Sequence, residues 1–224
     1  MNAIIIGATG ATGKDLLHLL LKDSNFKQVD IFVRRNPGIE HEKLNTHIID
    51  FDKPEQWEHL VKGDVLFSCL GTTRKAAGSK EGQKKVDYHY QLQFAKAAKE
   101  NNVTTYVLVS SVSASSSSVF FYMKIKGQLE DEVKALQFPK LIILSPPALE
   151  RKHSDRKLEV MATKALCFFN SLGLFKSIRP LPTDLLARAM MNAVKSLGNG
   201  EYVIQGQDIR NYADTRSEGE KPSR

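Results

Sequence analysis

Cysteine is nearly absent from these 224 residues: Cys69 and Cys167 are the only two, and neither has metal-ligand or redox-pair spacing. A disulfide framework is excluded, no metal site is expected, and both thiols read as reduced core residues. Long apolar runs are also missing, since none approaches the ~20 residues a membrane-spanning helix needs. Met1-Asn2 leads directly into an apolar, strand-like segment with no basic-then-apolar leader ahead of it. The expectation is a soluble, cytoplasmic protein with no membrane partner. Excess charge of one sign is mild, with 32 Lys and Arg against 25 Asp and Glu for a net +7. The basic residues are scattered along helix-like segments with no aromatic platform between them, so no nucleic-acid partner is expected. There is no internal repeat, and low-complexity sequence is confined to Ser115 to Ser118.

What is present is 42% hydrophobic residues, enough for one core. Strand-like runs at Ala3 to Ile6, Val29 to Val33, Thr46 to Ile49, Asp64 to Cys69, Tyr106 to Val109 and Leu141 to Leu144 alternate with helix-like segments. The helix-like segments are Lys14 to Lys22, Pro54 to Lys62, Glu81 to Glu100 and Val119 to Leu136. This alternation predicts an α/β fold with a doubly wound parallel sheet. Past Pro146-Pro147 the pattern shifts to helices near Asp155 to Leu172 and Pro182 to Ser196, then a short strand at Tyr202 to Ile204. These read as a small C-terminal capping lobe on a single domain over residues 1–213, with a polar, disordered tail from Asp214 to Arg224.

The first strand runs into Gly7-Ala8-Thr9-Gly10-Ala11-Thr12-Gly13, and a leucine-rich helix follows. A strand, glycines at this spacing and a helix start together describe a dinucleotide phosphate cradle. Gly7 makes the tight turn, Gly10 admits the pyrophosphate, and Gly13 lets helix and strand pack closely. Unpaired amides at the helix start then face the anionic cofactor. At the end of the second strand, where a carboxylate would hold the ribose hydroxyls of NAD, the chain has Arg34-Arg35. Guanidinium forks match phosphate geometry, so NADP(H) is the preferred cofactor, with NAD(H) possible. Asp50-Phe51 after the third strand are candidates for the adenine edge and face, although an ordinary acidic turn explains Asp50 nearly as well.

Tyr122 and Lys126 are spaced to share one helix face, and Val109-Ser110-Ser111 closes the fifth strand just before them. A phenol with a reference pKa of ~10 exchanges protons poorly at neutral pH unless a positive charge favours its anion. Lys126 can supply that charge. Tyr122 could then pass a proton to a carbonyl oxygen while a serine holds the same oxygen. Ser110, Ser111 and Ser113 are all candidates for that serine, with Ser111 the preferred one.

Together these motifs resemble the short-chain dehydrogenase/reductase superfamily, and within it the atypical, Tat-interacting-oxidoreductase-like branch. The resemblance also takes in Cys69-Leu70-Gly71-Thr72-Thr73-Arg74, Val86-Asp87-Tyr88 and Phe121-Tyr122-Met123-Lys124-Ile125-Lys126-Gly127, in family order between Ile4 and Asn192. It implies an NAD(P)-binding Rossmann fold with Leu70, Gly71 and Thr72 beside the cofactor. It further implies that Tyr122 is the proton donor or acceptor and that Lys126 lies on the nicotinamide ribose. Two features depart from the family. Ser145-Pro146-Pro147 stands where many relatives have Arg-Pro-Gly, and Ser111 precedes Tyr122 by only eleven residues. The asparagine that completes a proton relay in many members has no obvious counterpart, and Asp87 reads as capping or orienting its helix.

The expected function is hydride transfer to or from a small carbonyl or alcohol substrate, by a monomer or homodimer. The alternatives are a non-catalytic, NADP(H)-sensing regulatory or assembly protein and a sugar-nucleotide-type epimerase. Arg151, His153 and Arg179 are candidates for meeting an anionic substrate group, and Leu172, Leu174 and Phe175 for an apolar wall, with surface and core roles as the plainer readings.

Overall fold

A computed structural model of the chain describes residues 1–150 and 180–214. Six strands come from the first part of the chain: β1 (Asn2–Ile6), β2 (Gln28–Val33), β3 (Leu44–Ile48), β4 (Val65–Ser68), β5 (Thr105–Val109) and β6 (Lys140–Ser145). The short β7 (Leu149–Glu150) and β8 (Leu181–Pro182) pair with each other, and β9 (Gly200–Gln205) follows. The main sheet has the order β3-β2-β1-β4-β5-β6-β9, and every pairing in it is parallel. Strand order reverses between β1 and β4, the position where doubly wound sheets open a crevice at their carboxyl ends.

Side chains alternate between the two faces of each strand. Ala3 and Ile5 of β1, Val29 and Ile31 of β2, and Val65 and Phe67 of β4 point into one apolar layer. Ile4, Ile6, Phe32 and Leu66 point into the other. Burial on both faces explains why the strands read as nearly continuous apolar runs. The first layer is closed by α1 (Ala11–Lys22), through Leu16, Leu17 and Leu20, and by two later helices.

Those later helices depart from expectation. The Pro182 to Ser196 segment belongs to the main body and not to a capping lobe: α6 (Thr183–Ser196) buries Leu186, Met190 and Ala193 in the core shared with α1. An ion pair of Lys195 with Asp23 at 2.8 Å and a hydrogen bond from Thr183 to Asp15 at 2.6 Å fasten it there. The strand expected at Tyr202 to Ile204 is β9, the seventh strand of the main sheet rather than part of a lobe. Helix α7 (Gln207–Asp214) was not anticipated; Ile209 and Ala213 hold it to the core, and Asp214, read as the start of the tail, is its last residue. The expected helix at Asp155 to Leu172, Cys167 and the remainder of the tail lie outside the described residues.

The second layer contains further differences. Glu81 to Glu100 is helical throughout, as expected, but not uniformly so: α3 (Lys80–Lys84) passes through a π-helical turn at Lys85–His89 into α4 (Tyr90–Glu100), and a separate single turn α2 (Arg74–Ala77) precedes it. Helix α5 (Phe121–Ala135) starts two residues later than expected and leaves Val119 and Phe120 exposed. Pro54 to Lys62 forms only two 3-10 turns, Pro54–Gln56 and Glu58–Leu60. Between them Trp57 is fully buried, donating its indole N–H to the Asp50 carbonyl at 3.0 Å and stacking on Phe94 at 4.0 Å. Burying that ring from both sides interrupts the helix. Trp57→Ala is expected to cost about 3–5 kcal/mol, seen as a lower midpoint in denaturant unfolding. Trp57→Phe, which keeps a ring on Phe94, should lose less.

Candidate active site

The glycine segment folds as a tight connection from β1 into α1. Gly7 has φ +81°, Gly10 N–H bonds the Gly7 carbonyl at 2.9 Å, and Gly10 is the N-cap of α1 with no side chain capping it. A Cβ on Gly7 would stand 2.5 Å from the carbonyl carbon of Cys69, and one on Gly13 would stand 2.2 Å from the Gly7 carbonyl oxygen. Gly10 is different, because its Cβ would approach only the Gly7 oxygen, at 3.2 Å. The loop therefore packs backbone on backbone along its inner side while its open side presents the first amides of α1, the arrangement that receives an anion.

That open side faces a cleft of about 450 Å³. Gly7, Thr9 and Gly10 line it from the glycine loop, Arg34 from the end of β2, and Phe51 from the segment after β3. Leu70, Gly71 and Thr72 line it from the segment after β4. Other expected residues lie elsewhere. Ala11 is exposed on α1, and Thr12 and Gly13 are buried in that helix. Arg35 is exposed and does not contribute to the lining. Asp50 accepts the Asp52 amide at 3.0 Å and lies 3.8 Å from Lys53, which fits the ordinary acidic turn.

The opposite wall was not read from the sequence. Ala76 and Ala77 of α2, Gly82 of α3, and Val86 and Tyr90 complete the lining, together with Cys69. Tyr90 donates to Asp52 at 2.8 Å, and Lys85 pairs with the same carboxylate. Val86 and Tyr90 are four apart in the chain, a helical spacing that could have marked this face.

Tyr122, Lys126 and Ser111 do not line this cleft; they gather beside it, where β5 ends and α5 begins. Lys126 is 2% exposed and donates to the Val109 carbonyl at 3.0 Å. Burial pushes its amine below the usual lysine value, while Asp87, Glu130 and Cys69 push it back up. Tyr122 is partly exposed, yet burial around its hydroxyl and the negative charge of Asp87 push the phenol up to about 12, with Ser111 acting in the opposite direction. The charge of Lys126 is thus directed at Asp87 and Glu130 and does not bear on the phenol as the sequence suggested. The three serine candidates also separate. The Ser110 hydroxyl bonds Glu130, and Ser113 is exposed at φ 63°, whereas Ser111 adjoins the Tyr122 phenol.

Asp87 links this cluster to the cleft. It is fully buried in the π-helical turn, a distortion that recurs at functional sites, and its Oδ1 accepts the Thr72 amide at 3.2 Å. Its Oδ2 is buried and has no hydrogen-bond partner among the described residues. Burial raises its carboxyl above the usual range, with Lys126, the Thr72 amide and Gln83 opposing the rise. The sequence singled out Asp87 only as a helix-orienting residue. Its place between cleft wall and phenol depends on the π turn, which no spacing rule reveals. Arg151, His153, Leu172, Leu174, Phe175 and Arg179 lie outside the described residues.

The family described as NAD(P)H-binding matches residues 7–167. Protein FMP52, mitochondrial, of Candida albicans is 39% identical, covering 96% of this chain and 99% of its own. Protein HTATIP2 of Rattus norvegicus is 37% identical over 91% of this chain and 85% of its own. Among solved structures, the oxidoreductase ylbE from Lactococcus lactis matches with a TM-score of 0.66 at 17% identity, over 96% of this chain and 95% of that one. A UDP-N-acetylglucosamine 4-epimerase from Methanobrevibacter ruminantium M1 matches at 0.68 and 16% identity, over 91% and 75%. At such identities these two structures bear on the fold alone. The expectation of a cytoplasmic protein is overturned: several fungal relatives at 34–39% identity are named as mitochondrial proteins. That expectation rested on missing leader and membrane segments, and such absences do not assign a compartment. Among the described residues no helix is long and apolar enough to cross a membrane. With a glycine cradle on a parallel sheet and relatives of this similarity along nearly its whole length, the chain belongs to the NAD(P)H-binding family of atypical short-chain dehydrogenase/reductases.

Proposed function

We propose that this protein is an NADP(H)-dependent oxidoreductase that interconverts a small carbonyl compound and its alcohol, in the mitochondrial setting named for its fungal relatives. The observation that carries this reading is adjacency. A cleft with a side-chain-free anion cradle lies next to Tyr122, Ser111 and Lys126 at the carboxyl ends of the strands, and Cys69 and Asp87 bridge the two. The cradle fits a dinucleotide, because a Cβ at Gly7 or Gly13 would collide with backbone and because Gly10 leaves the first turn of α1 uncapped. Gly7, Thr9 and Gly10 would hold the pyrophosphate, Phe51 would face the adenine, and Leu70 to Thr72 would flank the remainder.

When bound, the reduced nicotinamide supplies the hydride. The protein's own part is to hold and protonate oxygen: Ser111 bonds the substrate oxygen, and Tyr122 donates the phenolic proton to it as the carbonyl carbon is reduced. In the reverse direction Tyr122 accepts the proton from the alcohol. Lys126, oriented by the Val109 carbonyl, acts on the phenol only indirectly: its positive charge offsets that of Asp87, which otherwise opposes loss of the phenolic proton.

Arg34 is the residue on which NADP(H) preference rests, since it lines the cleft and Arg35 does not. A lost guanidinium–phosphate contact costs about 1.5–3 kcal/mol, so Arg34→Ala should weaken NADPH about 10- to 150-fold and leave NADH nearly unchanged. Titration of both nucleotides by nicotinamide fluorescence measures this, and equal losses would count against the phosphate role. Tyr122→Phe should abolish turnover while retaining nucleotide binding; unaltered biological function alongside lost turnover would instead favour a cofactor-sensing role. Asp87→Asn removes the negative charge facing the phenol, so Tyr122 should titrate below about 12. Tyrosinate absorbance against pH, with Tyr122→Phe as the difference control, reads that shift.

A further inference from the structure

Glycine is the poorest helix former after proline, yet Gly127 lies within α5, immediately after Lys126, with no positive φ that would require it. The reason lies in what rests on it. A Cβ at this position would stand 2.2 Å from the carbonyl carbon of Ser115, 2.3 Å from the Ser116 nitrogen and 2.5 Å from the Ser115 Cα. All three are backbone atoms, so no side-chain rotation relieves the clash. The serine tract thus crosses α5 with its peptide in direct contact with the helix, and the Ser115 amide is bonded to the Met123 carbonyl at 3.1 Å.

The same loop leads back to Ser111 without slack. Ala114 N–H bonds the Ser111 carbonyl at 3.2 Å, Val112 N–H bonds the Pro146 carbonyl at 3.2 Å, and Ser113 between them is held at φ 63°. A non-glycine residue keeps that conformation only where its surroundings over-determine it. Lifting the Ser115–Ser116 peptide off the helix therefore moves Ser111 relative to Tyr122.

We propose that Gly127 is a positioning residue of the reaction: it lets the loop carrying Ser111 seat on the helix carrying Tyr122, and so fixes the distance between serine hydroxyl and phenol. The catalytic part of this inference rests on the functional reading above; the seating itself does not. Two measurements on the full chain keep them apart. Hydrogen exchange reads the seating: Gly127→Ala should deprotect the Ser115 and Ala114 amides while the amides of β1 and α1 stay protected, and unchanged protection would overturn the proposal whether or not the protein turns over.

Steady-state reduction of phenanthrenequinone by NADPH reads the consequence. Misplacing a reacting group by about 1 Å can cost ~100-fold, so Gly127→Ala should lower kcat by up to about that factor with NADPH affinity unchanged. In a Ser111→Ala background it should add nothing, because the residue it positions is gone. Losses that multiply in the double variant would overturn action through Ser111. Should Gly127→Ala fail to fold, Ser115→Pro removes the amide bonded to Met123 from the loop side and should give the same kcat loss. Full activity in that variant would likewise overturn the proposal. No effect of Tyr122→Phe on reduction would refute the functional reading and leave the exchange result to decide the seating.

Discussion

Three backbones meet at Gly7: the end of β1, the start of α1 and the end of β4 approach more closely than any side chain would allow, with Gly7 against Cys69 and Gly13 against Gly7. The contact lies where β1 has β2 on one side and β4 on the other, so helices leave the sheet in opposite directions and a crevice opens between them. Without this close approach α1 would stand away from the sheet, and the amides of its first turn would no longer converge on the cleft. Arg34 and Leu70 reach the same space because β2 and β4 are in register with β1, and Phe51 because β3 is in register with β2. The geometry of the cleft follows from an absence of side chains at its centre.

Beside the cleft the constraint is electrostatic. Lys126 and Asp87 are almost completely removed from water, a state that is costly for an isolated charge and tolerable when opposite charges and hydrogen bonds lie close. Here the lysine has the Val109 carbonyl, and Asp87 has the Thr72 amide, which belongs to the cleft wall. A change in that wall is therefore felt by the groups around Tyr122. Ser110, a neighbour of the catalytic candidate, is taken up by Glu130 and so belongs to the support of the cluster.

How much of this was legible in the sequence depended on the range of the signal. The parallel sheet, the glycine turn and the Tyr122–Lys126 spacing are local patterns, and the strands lie where their apolar runs predict. Errors arose where a distant partner decides local structure. Trp57 breaks an expected helix because Phe94 lies behind it, and the expected helix to Glu100 is present but carries a π turn at Lys85–His89 that periodicity does not show. Arg34 and Arg35 cannot be distinguished by type, and only the direction of the chain after β2 places one of them in the cleft. Part of the opposite wall is built from small residues, Ala76, Ala77 and Gly82, which carry no chemistry by which a sequence reading could single them out.

The docking of α6 onto α1 also bears on how the chain reaches its native state. The partners are far apart in sequence: Lys195 meets Asp23 across 172 positions, and Thr183 meets Asp15 across 168. Strand β9 likewise completes the sheet only by pairing with β6, some sixty residues earlier by register. Parallel pairings and long-range docking of this kind raise contact order and slow folding. During synthesis α1 would emerge well before α6 and keep its leucine face uncovered until that later helix could dock. The nucleotide cradle, although encoded in the first fifteen residues, is thus among the last features to be secured, and chaperone dependence would fall on its end of the protein.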